Sequence, residues 1–285
     1  MKRTAILRTI FFLTILCNPA RPASAAKVAV VLSDEQPSTR EALRGVRLVL
    51  PNARALALTA TGSDLEGVGV VVALGAQAAS QNYPGGPKLV AAMVMDPSLA
   101  LPEGSVLVSS LPDAFSLLAT IRGLSNGLEA LAVLAPQGQY LPYVRYLEAA
   151  GKVTGVKIVL ETADSPPDLV SALRGLKGKV QAVWLAPTPM LLDQKNFKFV
   201  ADFCRNTGVG LFAPVPELAG AGALAGVAPS PVDLGRAAGA AAKDLAAGKS
   251  VNKSVNVDQS KVMISVKLAA AMGLKVSARD GLLVP

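Results

Sequence analysis

The chain of 285 residues contains no histidine. That removes His-based catalytic triads, imidazole general bases and histidine-containing zinc sites. Two cysteines are too few for a zinc site of four thiolates. Aromatic residues make up only 4% of the sequence and charged residues 17%, against 51% hydrophobic. So apolar a chain is not disordered, and it is long enough to bury a substantial core. There is no Walker loop and no G-x-S-x-G elbow. Gly67-Val68-Gly69 precedes a strand, whereas a dinucleotide fingerprint follows one. The run Gly220, Gly222, Gly226 opens no clear helix and has no acidic ribose partner. Acidic pairs such as Asp34/Glu35 and Glu217/Asp233 read as solvated loop carboxylates, and Asp96 alone makes no metal site. The sequence therefore points to no catalytic residue, no metal and no cofactor, and to a protein that is not an enzyme.

What is present begins with a targeting pattern. Lys2, Arg3 and Arg8 make a basic start, and Ile10 to Leu16 is an apolar run too short to span a bilayer. A polar stretch then ends in Ala23-Ser24-Ala25, an A-x-A cleavage signal, so residues 1–25 read as a secretory signal peptide cleaved near Ala25. Cys17 follows Leu16, which is not the small residue a lipidation signal needs. These 25 residues hold four basic side chains and no acidic one, so the net charge falls from +8 to +4 on cleavage. Spread over the rest of the chain, without an aromatic-basic or helix-turn-helix pattern, that charge gives no case for nucleic acid. Cys204, left without a partner, lies near Phe199 and Phe203 in a predicted helix and reads as a buried core thiol. No second apolar run of about 20 residues occurs. The expected location is periplasmic.

From Lys27 onward strands alternate with helices. Short apolar runs at Lys27–Leu32, Arg54–Leu58, Val68–Leu74, Lys88–Met95 and Val106–Ser109 read as strands. Ser38–Val49 has helical spacing, with Ser38 and Glu41 forming a capping-box pattern. A helix of small residues begins at Gln77. A second series runs through helices at Ala114–Ser125, Tyr140–Ala150, Pro167–Leu176, Met190–Asn206, Asp233–Ala247 and Leu268–Met272. Its strands are Ala130–Ala135, Lys157–Leu160, Gln181–Ala186, Val209–Phe212 and Lys261–Val266. Such alternation predicts an α/β fold with parallel sheets covered on both faces. The strands fall into two runs with a break near Val108–Pro112, which predicts two doubly wound sheets. Sheets of this kind bind ligands outside the carboxyl ends of their strands.

The last third carries a resemblance. Gly222–Ala225, Leu234-Gly235, Val262–Val266 and Ala269–Gly273 resemble, in order and spacing, segments of the substrate-binding proteins of ABC transporters. Within these it looks like the family that includes tryptophan/tyrosine-type binding proteins. Upstream, VVVALGAQAA and then KLVAAMVMDP match that family's pattern of strand, small-residue loop, helix and a strand ending in Asp-Pro. The resemblance implies a type I periplasmic binding fold: two α/β lobes joined by three crossings, closing on a small-molecule ligand, with a membrane permease of an ABC importer as partner. One lobe is expected at 27–108 plus 228–250, the other at 109–227 plus 251–285. The chain departs from the family at Ser230-Pro231-Val232, where a Tyr-rich segment is usual, at Pro189, and at Ala135-Pro136-Gln137-Gly138. Several positions able to pair a free amino acid's charges are thus missing, and an aromatic amino acid ligand is not carried over. A sensory or partner-binding module on the same fold is the alternative role.

The strand-end loops supply the candidate ligand-binding residues. Ser33, Asp34 and Gln36 follow the first strand. Gln77 follows the third, at a helix start where backbone N–H groups favour an anion. Met95 and Asp96 follow the fourth. In the second half, Gln137, Gln139 and Tyr140 follow the first strand, Thr188 and Met190 the third, and Glu217 the fourth. Trp184 reads as core. Tyr140, Tyr143 and Tyr146 read as one packed helix face, with Tyr140 near enough to its start to reach the cleft.

Overall fold

The computed structural model describes residues 26–60, 62–125 and 127–285; the expected signal peptide lies outside the described residues. The first half builds β1 (Lys27–Leu32), α1 (Pro37–Val49), β2 (Arg54–Ala57), β3 (Val68–Leu74), α2 (Ala76–Ala79), β4 (Lys88–Val94) and β5 (Val106–Ser109). The connection between β2 and β3 holds only a 3-10 turn, Gly62–Leu65, because it is too short for a full helix. The second half builds α3 (Ala114–Gly123), β6 (Ala130–Ala135), α4 (Leu141–Thr154), β7 (Lys157–Thr162), α5 (Pro166–Leu176) and β8 (Ala182–Leu185). It continues with α6 (Pro189–Leu192), α7 (Gln194–Thr207), β9 (Gly210–Ala213) and β10 (Ala225–Ala228). The chain ends with α8 (Pro231–Ala246), β11 (Ser254–Val255), β12 (Lys261–Ser265), α9 (Val266–Ala271) and β13 (Leu282–Val284).

Two sheets result, as the alternation predicts. The first has the order β11-β5-β4-β3-β1-β2 and is parallel throughout. The second has the order β13-β12-β10-β9-β8-β6-β7, with one antiparallel pair, β10 with β12. The sub-orders β5-β4-β3-β1-β2 and β10-β9-β8-β6-β7 share one winding, with the reversal beside β1 and beside β6. Each half therefore has its strand-end crevice in the equivalent place. Helices cover both faces, so β1, β3, β4 and β6 are apolar along their length rather than alternating.

The chain passes between the sheets three times: after β5, after β10, and between β11 and β12. Helix α8 returns to the first sheet and packs beside α1 in the core that holds Val46, Val72 and Ala238. The two helices nearly touch. A Cβ on Gly45 would lie 2.0 Å from the Val232 carbonyl oxygen, and one on Gly235 1.9 Å from that of Ala42. Strand β11 also belongs to the first sheet, pairing Ser254 and Val255 with Leu107 and Val108. The sequence reading puts that segment in the second half, because two residues give no strand signal.

Several local expectations change. The helix expected at Met190–Asn206 is two, because the Asp193 carboxylate accepts from the Lys195 and Asn196 amides and starts α7 afresh. The glycine run at 220–226 is a turn leading into β10. A Cβ on Gly226 would sit 2.3 Å from the Val215 oxygen, so glycine lets a loop lie on the strand. The capping box at Ser38 and Glu41 is absent. Helix α1 starts at Pro37 with no side-chain cap from Gln36. Trp184 and Cys204 are core, as expected: the indole is fully buried, with its ring centroid 5.3 Å from Tyr143, and burial pushes the Cys204 thiol up to about 12. Among the described residues no helix is long and apolar enough to cross a membrane.

Candidate functional site

The crevices of the two sheets face each other, and a cavity of about 570 Å³ lies between them. From the first sheet's side come Gln36, Pro37, Ser38 and Glu41 at the start of α1, and Met93 and Met95 at the end of β4. From the second come Pro214–Glu217 after β9, with Lys261 opening β12. The crossings close the back with Ser110, Ala228, Pro229 and Pro231. Five prolines among these residues give rigid apolar walls. Two methionines add adaptable thioether surface. Glu217 Oε1 lies 3.5 Å from Lys261 Nζ at the rim, where both side chains are well exposed. The Ser110 hydroxyl is buried and has no hydrogen-bond partner among the described residues.

Met93 has φ 62°, the one non-glycine positive value among the described residues. It sits where the pairing of β4 with β5 slips between Ala91 and Val94. A bulge of this kind re-aims side chains. A methionine held in the left-handed region costs free energy that the surrounding packing must supply.

Beside the cavity the two lobes touch directly. Gln139 Nε2 donates to Asp96 Oδ1 at 2.9 Å. The Tyr140 hydroxyl lies 3.2 Å from the Met95 carbonyl of the first lobe and 3.2 Å from the Pro187 carbonyl of the second. Tyr140 is 1% exposed, so this contact is dry. Burial, aided by the charge of Asp96, pushes its phenol well above the ordinary value. Burial alone would raise the Asp96 carboxyl, but hydrogen bonds from the Ser98 hydroxyl, Gln139 and the Ser98 amide outweigh it and hold the group below the ordinary carboxylate value. Asp113, at the first crossing, behaves in the same way. Burial is outweighed by its bonds to the Tyr146 hydroxyl and to Ser116, and the Tyr146 phenol is pushed up to about 12 chiefly by that bond.

Of the twelve candidate residues, Gln36, Met95 and Glu217 line the cavity, and Asp96, Gln139 and Tyr140 make the contact between lobes. The other six do neither. Ser33 Oγ accepts from the Ala78 amide, 2.8 Å away, against Gly75, whose φ of 99° and lack of a Cβ make room for it. Asp34 Oδ1 accepts from the Thr39 hydroxyl at 2.6 Å and from the Gln36 amide at 3.0 Å, and those bonds, Thr39 first, lower its pKa. Thr188 is buried and accepts from the Leu191 amide. Met190 packs on the second core. The Gln137 amide donates to Asp164. Gln77 is exposed on a single helical turn, α2, whose Ala78 amide is already taken by Ser33, which leaves little of the anion-favouring helix start expected there. Sequence reasoning missed Met93, Ser110 and the crossing prolines. A slip in strand pairing and a chain crossing leave no local pattern; only the proline-rich loop at Pro214–Glu217 is visible in advance.

No family model and no curated protein matches the sequence. Solved structures do match. A ligand-free, open substrate-binding protein with adhesive properties from Clostridium difficile superposes with a TM-score of 0.64 at 16% identity, over 91% of this chain and 99% of that one. An ABC domain in complex with L-Trp from Streptococcus pneumonia gives a TM-score of 0.59 at 17% identity, over 90% and 100%. A conserved domain protein from Vibrio cholerae gives 0.57 at 15%, over 92% and 100%. At these identities the likeness is one of fold. The chain has the two-lobed α/β architecture of the type I periplasmic binding proteins.

Proposed function

We propose that this chain is an extracytoplasmic solute-binding protein of an ABC-type importer. It captures a small organic ligand between its lobes and presents it to a membrane permease. The observation that carries this reading is the cavity of about 570 Å³ at the facing strand ends, to which both lobes and the crossings contribute walls. Its size suits a small organic molecule, and pockets of this kind combine apolar walls with a few convergent polar groups. Gln36, Met95 and Glu217 are the proposed contacts, with Met93 and the Ser110 hydroxyl beside them. Asp96, Gln139 and Tyr140 act on the closed form rather than on the ligand. The lobes divide at 27–108 plus 228–250 and 109–227 plus 251–285, with β11 added to the first. Binding of this kind needs no catalytic residue. Closure follows from ligand touching the closed form better than the open one. Periplasmic location rests on the signal pattern in residues 1–25.

A second reading has its own observation. Beside the cavity the cleft is bridged by the protein's own Gln139, Asp96 and Tyr140, which suits a sensory or partner-binding module that holds its lobes together without a solute. A thermal-shift panel of amino acids, nucleosides, sugars, carboxylates and oxyanions separates the two. Ligand at about 100 times its dissociation constant adds about 2.7 kcal/mol, a rise of several degrees for a chain of this length. One coherent chemical class that stabilises the wild type and loses its effect on Met95→Trp supports solute capture. A cooperative melt with no shift across the panel contradicts it and favours the second reading.

A further inference from the structure

Helices α1 and α8 lie side by side on one face of the first sheet, and their outward faces carry a charge pattern that neither the core nor the cleft uses. On α1 the exposed positions Arg40, Arg44 and Arg47 recur at i, i+4 and i+7, which places them within one narrow stripe of the helix. The opposite side, Ala42, Leu43 and Val46, is buried in the core. On α8 the exposed positions Arg236, Ala240 and Lys243 repeat the same spacing. The helices run parallel, since Ala42 meets Gly235 and Val46 meets Gly239; with Gly45 these contact positions lie across α1 from the arginines, so the arginine stripe faces away from α8.

The charge balance is specific. Of the acids on these helices, Asp233 is held by Arg236 at 3.1 Å and Asp244 by Lys249 at 2.9 Å. Glu41 flanks the start of the α1 stripe. Arg40, Arg44, Arg47 and Lys243 have no ion-pair or hydrogen-bond partner among the described residues. Beside the arginines, Leu48 stands 61% exposed, the one large apolar side chain of these two helices left so open.

We infer that this arginine-bearing face of α1 docks on an anionic phospholipid surface. Its three unpaired cations are arginines, whose planar guanidinium matches phosphate oxygens in a two-pronged contact. A protein interface of ordinary strength needs a desolvated apolar centre, and one leucine does not make one. A lipid surface needs only clustered positive charge and a shallow apolar insert. The face lies outside the ligand cleft apart from the first turn of α1, so a bound surface leaves the cavity accessible.

The test is vesicle co-sedimentation of the chain from Ala26 onward, which contains every described element. The probes are vesicles of phosphatidylcholine alone and of phosphatidylcholine with about a third phosphatidylglycerol. Binding is expected only to the anionic vesicles, falling steeply between low and high salt as exposed charges are screened. R40Q/R44Q/R47Q should weaken it by about fivefold for each arginine, with an unchanged thermal melt. K177Q/K195Q/K198Q, which removes three charges from the second lobe, should leave it intact. Equal binding to both vesicles, no binding at low salt, or loss in the second-lobe variant matching that in the arginine variant overturns the inference. Absence of vesicle binding together with salt-sensitive binding to poly-glutamate also overturns it, and gives the face to an acidic protein.

Discussion

Tyr140 carries more than its own packing. Its hydroxyl lies between the carbonyls of Met95 and Pro187, one from each lobe, in a site closed to water. Tyr140→Phe leaves both carbonyls without that donor, and a buried hydrogen bond of this kind contributes about 1 kcal/mol. Urea unfolding should show a loss of that size with an unchanged m-value, and a loss several times larger would mean the ring itself is displaced. Asp96 and Asp113 give a pH dependence. Both have folded pKa values below the ordinary carboxylate value. Their stabilisation is therefore fully present above about pH 4, the unfolded value. It is lost as pH falls through their lowered folded values. The unfolding midpoint should drop below pH 4, and Asp96→Asn should make that drop shallower. A wild-type midpoint that rises on acidification would reverse the sign and refute the assignment.

The packing of elements turns on α1 against α8. Gly235 has no room for a side chain beside the Ala42 carbonyl, and Gly45 none beside that of Val232. Gly235→Ala forces the helices apart, at a cost of about 1–3 kcal/mol or more. Gly220→Ala, with nothing within 4 Å of the added carbon, should shift stability by less than about 0.5 kcal/mol. Equal effects would mean that the helices slide freely. Such contacts explain what was legible in advance. Strands β1, β3, β6 and β8 are short apolar runs buried on both faces, and a buried parallel strand has that composition wherever it sits. Strand β10, Ala-Gly-Val-Ala, lacks it, because Gly226 is set by a loop lying on it rather than by strand propensity. The break between α6 and α7 was readable from Asp193, an N-cap residue inside the helical pattern. The rest of the site was not. Loops after strand ends locate Gln36, Met95 and Glu217, but whether a polar loop residue meets a ligand, another lobe or its own backbone depends on pairs far apart in the chain. Ser33, Asp34 and Thr188 have the composition of a binding rim but accept hydrogen bonds from the protein's own amides and hydroxyls.

The whole molecule is two similarly wound lobes whose crevices face one another, joined by three crossings, with direct contacts beside a cavity. Gln139→Ala removes one bridge between the lobes and should raise the radius of gyration in small-angle scattering without ligand; an unchanged radius would mean the crossings alone set the lobe angle. Solute capture further requires that one ligand meet segments distant in sequence at once. Hydrogen–deuterium exchange, with and without the solute that most raises the melting temperature, tests this most directly. The account expects joint protection at 36–41, 93–96, 214–217 and 228–234, from both lobes and a crossing together. Protection confined to one lobe, or found only outside these segments, would contradict it.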